Sequence, residues 1–199
     1  MATDVAVCYS GWLNVSLPQG GATAHAALIA PWSADVLVAA THKDNECSTV
    51  VCLRRVLAGL GPLRAARVDR MLDRDELLRL MESAPIWRTL TTRFVNASAS
   101  EHGVHWASPL LGNPKLSVLR QLHDYNRVHA LLRQHEQARG RSYTRIIHSR
   151  LEFLFLAPHP PPRLLPSPPR MLWVPSGESY SGVNDRHAVM GRSVVRAPL

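Results

Sequence analysis

The sequence predicts an α/β domain with a mostly parallel central sheet flanked by helices. Three observations predict it. Short apolar or β-branched runs recur at Asp4–Leu13, Asp35–Thr41, Ala65–Asp69 and Tyr143–Phe155, with the length and composition of buried strands. Stretches with helical spacing lie between them, and that alternation builds parallel sheets with crossover helices. At 199 residues and 46% hydrophobic, the chain fills one domain with a full core and is short for two, so residues 1–199 read as a single domain.

The elements follow in order. Asp4–Leu13 contains VAVCYSGW, a buried strand ending in Ser10-Gly11. Ala22–Ile29 is small and apolar and predicts a short helix stopped by Pro31. Asp35–Thr41 (DVLVAAT) is a second buried strand, closed by the polar turn His42-Lys43-Asp44-Asn45. Ser48–Leu60 reads as a helix with Ser48 as N-cap, Val51, Arg55 and Ala58 on one face, and Gly59–Pro62 as its end. Ala65–Asp69 is a third short strand. Asp73–Glu82 is a helix whose acidic first turn suits the positive end of the macrodipole. Ala84–Pro114 mixes Trp87 and Trp106 with Ser, Asn and Gly without a sustained period, and reads as a long loop with short elements. His102 and His105 lie there and lack a third ligand for a metal. Lys115–Arg139 is the strongest helix: Val118, Leu122, Tyr125, Val128 and Leu132 form one apolar stripe, and Gly140 ends it.

Composition narrows the function classes. The formal charge is +8, but Lys43 and Lys115 are the only lysines. The arginines are scattered, with no basic run interleaved with aromatics, which argues against nucleic acid as a partner. An arginine-rich balance does suit a diphosphate ligand, because guanidinium forks match phosphate oxygens. No apolar run approaches ~18 residues, so the sequence predicts no membrane span. Cys8, Cys47 and Cys52 fit no zinc or redox spacing, and Cys8 reads as a small buried hydrophobe. Met1-Ala2-Thr3-Asp4 offers no basic signal region. Asn14-Val15-Ser16 and Asn96-Ala97-Ser98 match the glycosylation triplet, which matters only for a secreted chain. The compartment stays open between the cytoplasm and, for a piece of a longer protein, the Golgi.

The stretch that organises the chain is Tyr143–Phe155, YTRIIHSRLEFLF. With a period of two, Arg150 and Glu152 project to the same face. Two unpartnered buried charges would be costly, so they pair with each other, reach a solvent-filled cleft, or hold a ligand. Pro158–Pro169 holds seven prolines in twelve residues, which bars helix and central strand and predicts a polyproline II connection. A link between strands fits its position better than an SH3-type ligand. Met171–Val174 is a short strand. Beyond it lies SGESYSGVNDRHAVMG (Ser176–Gly191), with a short helix expected from Asn184, which Asn184 or Asp185 would cap.

Taken together, the charged strand, the Pro-containing link and the strand leading into NDRHAVMG resemble a family of largely uncharacterised plant and algal glycosyltransferase-like domains, related to GT-A type nucleotide-diphospho-sugar transferases. The resemblance is clearest from Leu119 to Ser193. The family pattern reads Arg-x-Arg-x-Asp and then Gly-Gly-x-Asn-Asp-Arg-Phe-Ala-x-Gly. Here His148 replaces the first Arg and Glu152 replaces the Asp, and Asn14 stands where relatives often carry a basic residue. The resemblance implies a GT-A/Rossmann-like fold that continues past Leu199, a nucleotide-sugar donor and a separate acceptor. It implies Mn²⁺ or Mg²⁺ held at Glu152, since oxygen ligands suit those ions. Arg150 would steady a phosphate or the carboxylate, and could replace the metal as counter-charge. Asp185 would bind a hydroxyl or act as general base, beside Asn184 and Arg186. Ser10 and Gly11 would face the nucleotide, because ligands of open α/β sheets bind beyond the carboxyl ends of strands. His42 would lie at the same edge as a solvated turn residue.

Overall fold

The computed structural model describes residues 4–13, 17–42, 51, 54, 57–83, 117–165, 171–177 and 186–196. The loop expected over Ala84–Pro114, and Cys47, Cys52, Asn184 and Asp185, lie outside those residues. Two compact units divide the chain: Met1–Arg70 with Arg127–Pro198, and Met71–Asn126.

The first unit holds a six-stranded sheet: β1 (Val5–Trp12), β2 (Asp35–His42), β3 (Leu63–Arg70), β4 (Arg145–Arg150), β5 (Leu172–Trp173) and β6 (His187–Gly191), in the order β3-β2-β1-β4-β6-β5. β1, β2, β3 and β4 are mutually parallel. β6 pairs antiparallel with both β4 and β5. The fold is α/β, but the sheet is mixed rather than mostly parallel. Antiparallel neighbours need no helical crossover, and the segments that bring the chain to β5 and β6 carry no described α-helix. From β1 the chain winds outward through β2 to β3, then returns to the other side of β1 for β4.

Both faces of the centre are covered. α1 (Leu17–Ala24), a π-helical turn (His25–Ile29) and α2 (Ala30–Trp32) lie on one face, where Leu28, Ile29 and Trp32 pack with Val7, Tyr9, Val36, Val38 and Ile147. α4 (Ser117–Arg139) covers the other from Arg127 on, where Val128, Leu131 and Leu132 pack with Ala6, Cys8, Leu37, Ala39 and Ile146. Alternate residues of β1 and β2 serve the two cores, as a period of two requires, and burial on both faces explains their continuous apolar runs.

Several expectations are corrected. The helix expected over Ala22–Ile29 begins at Leu17 and runs through Pro31 to Trp32. A π-type bond from the Ala30 amide to the His25 carbonyl loosens the turn before Pro31. The Ala27 carbonyl, four residues before the proline, accepts the His159 amide at 2.8 Å instead. Ser33, left-handed at φ 47, ends the run. The helix expected over Ser48–Leu60 is described at Val51 and Arg54, and closes in a 3₁₀ turn at Ala58–Leu60. The strand expected over Tyr143–Phe155 stops at Arg150, because its ladders run out there: Ser10 opposite Arg150, and His187 opposite Ser149. The short helix expected from Asn184 is replaced by β6, whose Ala188 and Val189 are buried beside β4. Within the Pro-rich link, Pro162–Leu164 forms a 3₁₀ turn rather than polyproline II, closed by the Leu164 amide on the Pro161 carbonyl at 2.9 Å.

The buried face of α4 differs from the predicted stripe: Val128 and Leu132 are buried, while Leu122 and Tyr125 are only half-buried. Arg127 and Glu136 are buried because partners from distant elements meet them. Arg127 donates to Asp69 at 2.9 Å and to the Ala40 carbonyl at 2.8 Å. Glu136 takes a fork from Arg192, at 2.8 Å and 2.7 Å. Gly140, at φ 69, ends the helix as predicted.

In the second unit, α3 (Arg74–Glu82) opens with a reciprocal capping box: the Asp73 amide donates to Glu76 at 2.9 Å and the Glu76 amide to Asp73 at 2.8 Å. Leu77 and Leu119 form its small core with Leu72 and Leu78.

A tight approach joins α1 to the 3₁₀ turn after it. A Cβ at Gly59 would lie 2.8 Å from the Ala22 nitrogen and 3.2 Å from its Cα. Both are backbone atoms, so nothing flexible can yield. Gly59→Ala is therefore expected to cost ~1–3 kcal/mol, the usual penalty of overpacking. A urea melt with an unchanged midpoint would contradict that close contact.

Candidate functional site

The chain reverses its winding direction between β1 and β4, so the carboxyl ends of these adjacent parallel strands open side by side. There the pairing of β1 with β4 ends at Ser10, followed by Gly11, and β4 ends in Arg150. Gly11 has φ 130, a backbone state that a side chain rarely adopts, and it turns the chain away after the last β1–β4 pair. A Cβ on it would sit 3.3 Å from Glu152 Oε2 and 3.8 Å from the Leu151 amide. The Leu151 amide donates to the Ser10 carbonyl at 3.1 Å, and the Arg150 amide to the Arg186 carbonyl at 3.1 Å.

Five of the seven residues singled out from the sequence are thus brought to one edge: Ser10, Gly11, Arg150, Glu152 and Arg186. Asn184 and Asp185 lie outside the described residues. His42 closes β2, paired in register with Arg70 of β3, rather than in a turn beyond the strand.

Arg150 and Glu152 form an ion pair. They do so across a turn, since Leu151 and Glu152 have left the strand, and not by sharing a strand face. The side chains are 35% and 41% exposed, which decides between two readings. A buried pair would carry a large penalty on losing one member. A pair this open contributes roughly 0–1 kcal/mol and can exchange partners with a ligand from solvent.

The opposite edge of the sheet is different. Asp35 is buried and accepts from Arg64 at 2.7 Å and from the Tyr143 hydroxyl at 2.8 Å. Glu136 accepts the Tyr143 amide at 2.9 Å as well as the Arg192 fork. The charges at that edge are tied to one another by the fold.

Sequence reasoning missed a set of buried histidines. His148 is 5% exposed, with its Nε2 3.2 Å from Ser10 Oγ and its ring 6.4 Å from that of His129 on α4. Burial, then the neighbouring His129 and His187, pushes His148 down to about 3. Burial, then Arg133 and Arg192, pushes His129 down to about 4. On the other face His187 lies 3.0 Å from His159, Nε2 to Nε2; burial, then His159, pushes it down to about 4. All three are neutral at pH 7. The legible signal was a histidine inside an otherwise apolar strand. Cys8 is buried as predicted, and its thiol is pushed up to about 12 by burial, then Glu136, which makes it inert.

Among the described residues, no three His, Cys, Asp or Glu side chains gather to hold a metal ion, and no helix is long and apolar enough to cross a membrane. Compared with known proteins, the chain matches no family model, no curated protein and no solved structure.

The histidines carry a pH dependence. Their folded pKa values lie below the unfolded value of ~6.5, so the unfolded chain binds more protons in that window. Stability is therefore full above pH ~6.5 and falls as pH drops towards the folded values. Urea melts should show lower stability at pH 5 than at pH 7, before most carboxylates titrate. The slope should shrink in His129→Gln. A flat profile from pH 7 to 5 would contradict the buried neutral imidazoles.

Proposed function

We propose that this chain is a glycosyltransferase-like domain of the GT-A/Rossmann-like kind, and that it binds a nucleotide sugar at the carboxyl ends of β1 and β4. One observation carries the reading: the half-exposed Arg150–Glu152 pair lies at the point where the strand order reverses, which is where open α/β sheets bind ligands. The resemblance of the charged strand and of NDRHAVMG to such transferases points to the same edge.

Each residue has a chemical task in this reading. Gly11 lets a ligand approach the backbone where a Cβ would intrude. Arg150 turns from Glu152 to the diphosphate and offsets the charge that grows on the leaving nucleoside diphosphate. Ser10, Asn184 and Arg186 line the donor. Asp185 receives the acceptor hydroxyl or its proton.

Mn²⁺ or Mg²⁺ is the cation proposed with the donor. The described residues fit it only in part. Glu152 is an accessible oxygen ligand, but its Oε1 faces Arg150, and among the described residues no group of three His, Cys, Asp or Glu side chains could hold the ion. The Arg150–Glu152 pair also suits a second reading, a sugar-nucleotide-binding domain without catalysis, in which the arginine supplies the positive charge that meets the diphosphate.

Thermal shift with a panel of nucleotide sugars, with and without Mn²⁺, tests this, since a ligand of the folded state raises the melting temperature by mass action. We expect stabilisation by at least one donor, lost in Arg150→Ala. Glu152→Gln should remove only the Mn²⁺-dependent part and leave the ligand-free midpoint nearly unchanged. No response to any donor, or a response that survives Arg150→Ala in full, would overturn the assignment. Hydrolysis or transfer of the bound sugar would separate the enzyme from the binding domain.

A further inference from the structure

On the sheet face away from Arg150, three polar side chains from three adjacent strands stand in one row. Tyr9 of β1 is paired in register with Ser149 of β4, and Ser149 with His187 of β6. Paired residues share a face. All three are more than nine-tenths buried, at 2%, 0% and 8% exposure. Tyr9 Oη, Ser149 Oγ and His187 Nδ1 each lack a hydrogen-bond partner among the described residues. One such orphan costs about 1–3 kcal/mol, and three on adjacent strands of one sheet face call for an explanation.

Geometry fixes what the row offers. The Pro160 carbonyl can only accept, so His159 Nδ1, 2.9 Å from it, carries a proton. The neutral His159 ring then has Nε2 as its acceptor, and His187 Nε2, 3.0 Å away, must donate to it. Neutral His187 is left with a bare Nδ1, an acceptor. The row thus presents one acceptor and two hydroxyl donors.

We propose that Ser149 and His187 hold an internal water between β4 and β6, with the Tyr9 hydroxyl closing the site from β1. The water donates one O–H to His187 Nδ1 and accepts from the two hydroxyls, three hydrogen bonds in all, the usual number for a buried water. An anion would face the bare lone pair of Nδ1. A cation would be buried without a counter-charge. A neutral molecule of this size satisfies the row and adds no charge. The site is independent of the nucleotide-sugar reading, because Ser10, His148 and Arg150 alternate to the opposite face.

A high-resolution crystal structure of the full chain tests this. The expected result is one ordered water within about 2.7–3.2 Å of both Ser149 Oγ and His187 Nδ1. Dry density there, or a direct Ser149–His187 hydrogen bond, would overturn it. In solution, the Ser149 or Ala188 amide should show a water cross-peak with the sign of a long-lived bound molecule, diminished in Ser149→Ala. An undiminished peak in that variant, or no peak in the unsubstituted protein, would also overturn it. If Ser149→Ala does not fold, the density and the unsubstituted protein's cross-peak decide alone.

Discussion

The parallel pairing of β1 with β4 is the contact on which the candidate site depends. Ala6, Val7 and Cys8 of β1 and Ile146 and Ile147 of β4 are all fully buried, in cores that lie on both faces of the sheet. Because side chains alternate, a slip of one residue would exchange the two cores. The register is therefore held by the packing of α1 on one side and α4 on the other, not by the ladder alone. Once it is held, Ser10 stands opposite Arg150, and the backbone beyond them has no further partner in the pairing. The edge of the ladder, the kink at Gly11 and the Arg150–Glu152 turn are three consequences of one alignment.

The two ends of the sheet use charge in opposite ways. At the amino end Asp35, Arg64, Tyr143, Glu136 and Arg192 bind one another, and the hydrogen bonds anchor β2 and β4 to α4. At the carboxyl end of β2, Arg127 reaches the Ala40 carbonyl and Asp69. Burial alone would raise the Asp69 carboxyl, but the Arg67 and Arg127 guanidiniums outweigh it and hold the group below its usual range. Between β1 and β4 the charged groups are half exposed instead. In the reading proposed above, the phosphates of a nucleotide sugar would compete with Glu152 for Arg150 at this edge.

The strands that are buried on both faces were legible in the sequence. VAVCYSGW and DVLVAAT are apolar runs of strand length, as strands covered on both faces require. β6 was not legible. HAVMG has five residues, too few for a period to declare itself, and its preference is settled by a non-local pairing with β4 that no local pattern encodes. Arg127 and Glu136 escaped for a related reason: each is buried only because Asp69 or Arg192, more than fifty residues away in the chain, meets it. Of the candidate site, the meeting of Ser10 with Arg150 followed from the order of motifs. The pairing of Arg150 with Glu152 was anticipated but its geometry was not, since strand alternation cannot reveal that the strand has already ended. The histidines were overlooked because a polar residue in an apolar strand has several readings until its neighbours across the sheet are known.

Whether a nucleotide sugar occupies the carboxyl edge of β1 and β4, as proposed, can be read from amide chemical shifts during titration of the full chain with the donor that stabilises it. The largest shifts should fall together on Ser10, Gly11, Arg150 and Leu151, the four residues whose backbones form that edge, while Asp35 and Tyr143 at the opposite end stay in place. Shifts concentrated at the amino end, or spread over the surface with the Gly11 and Leu151 amides unmoved, would contradict it.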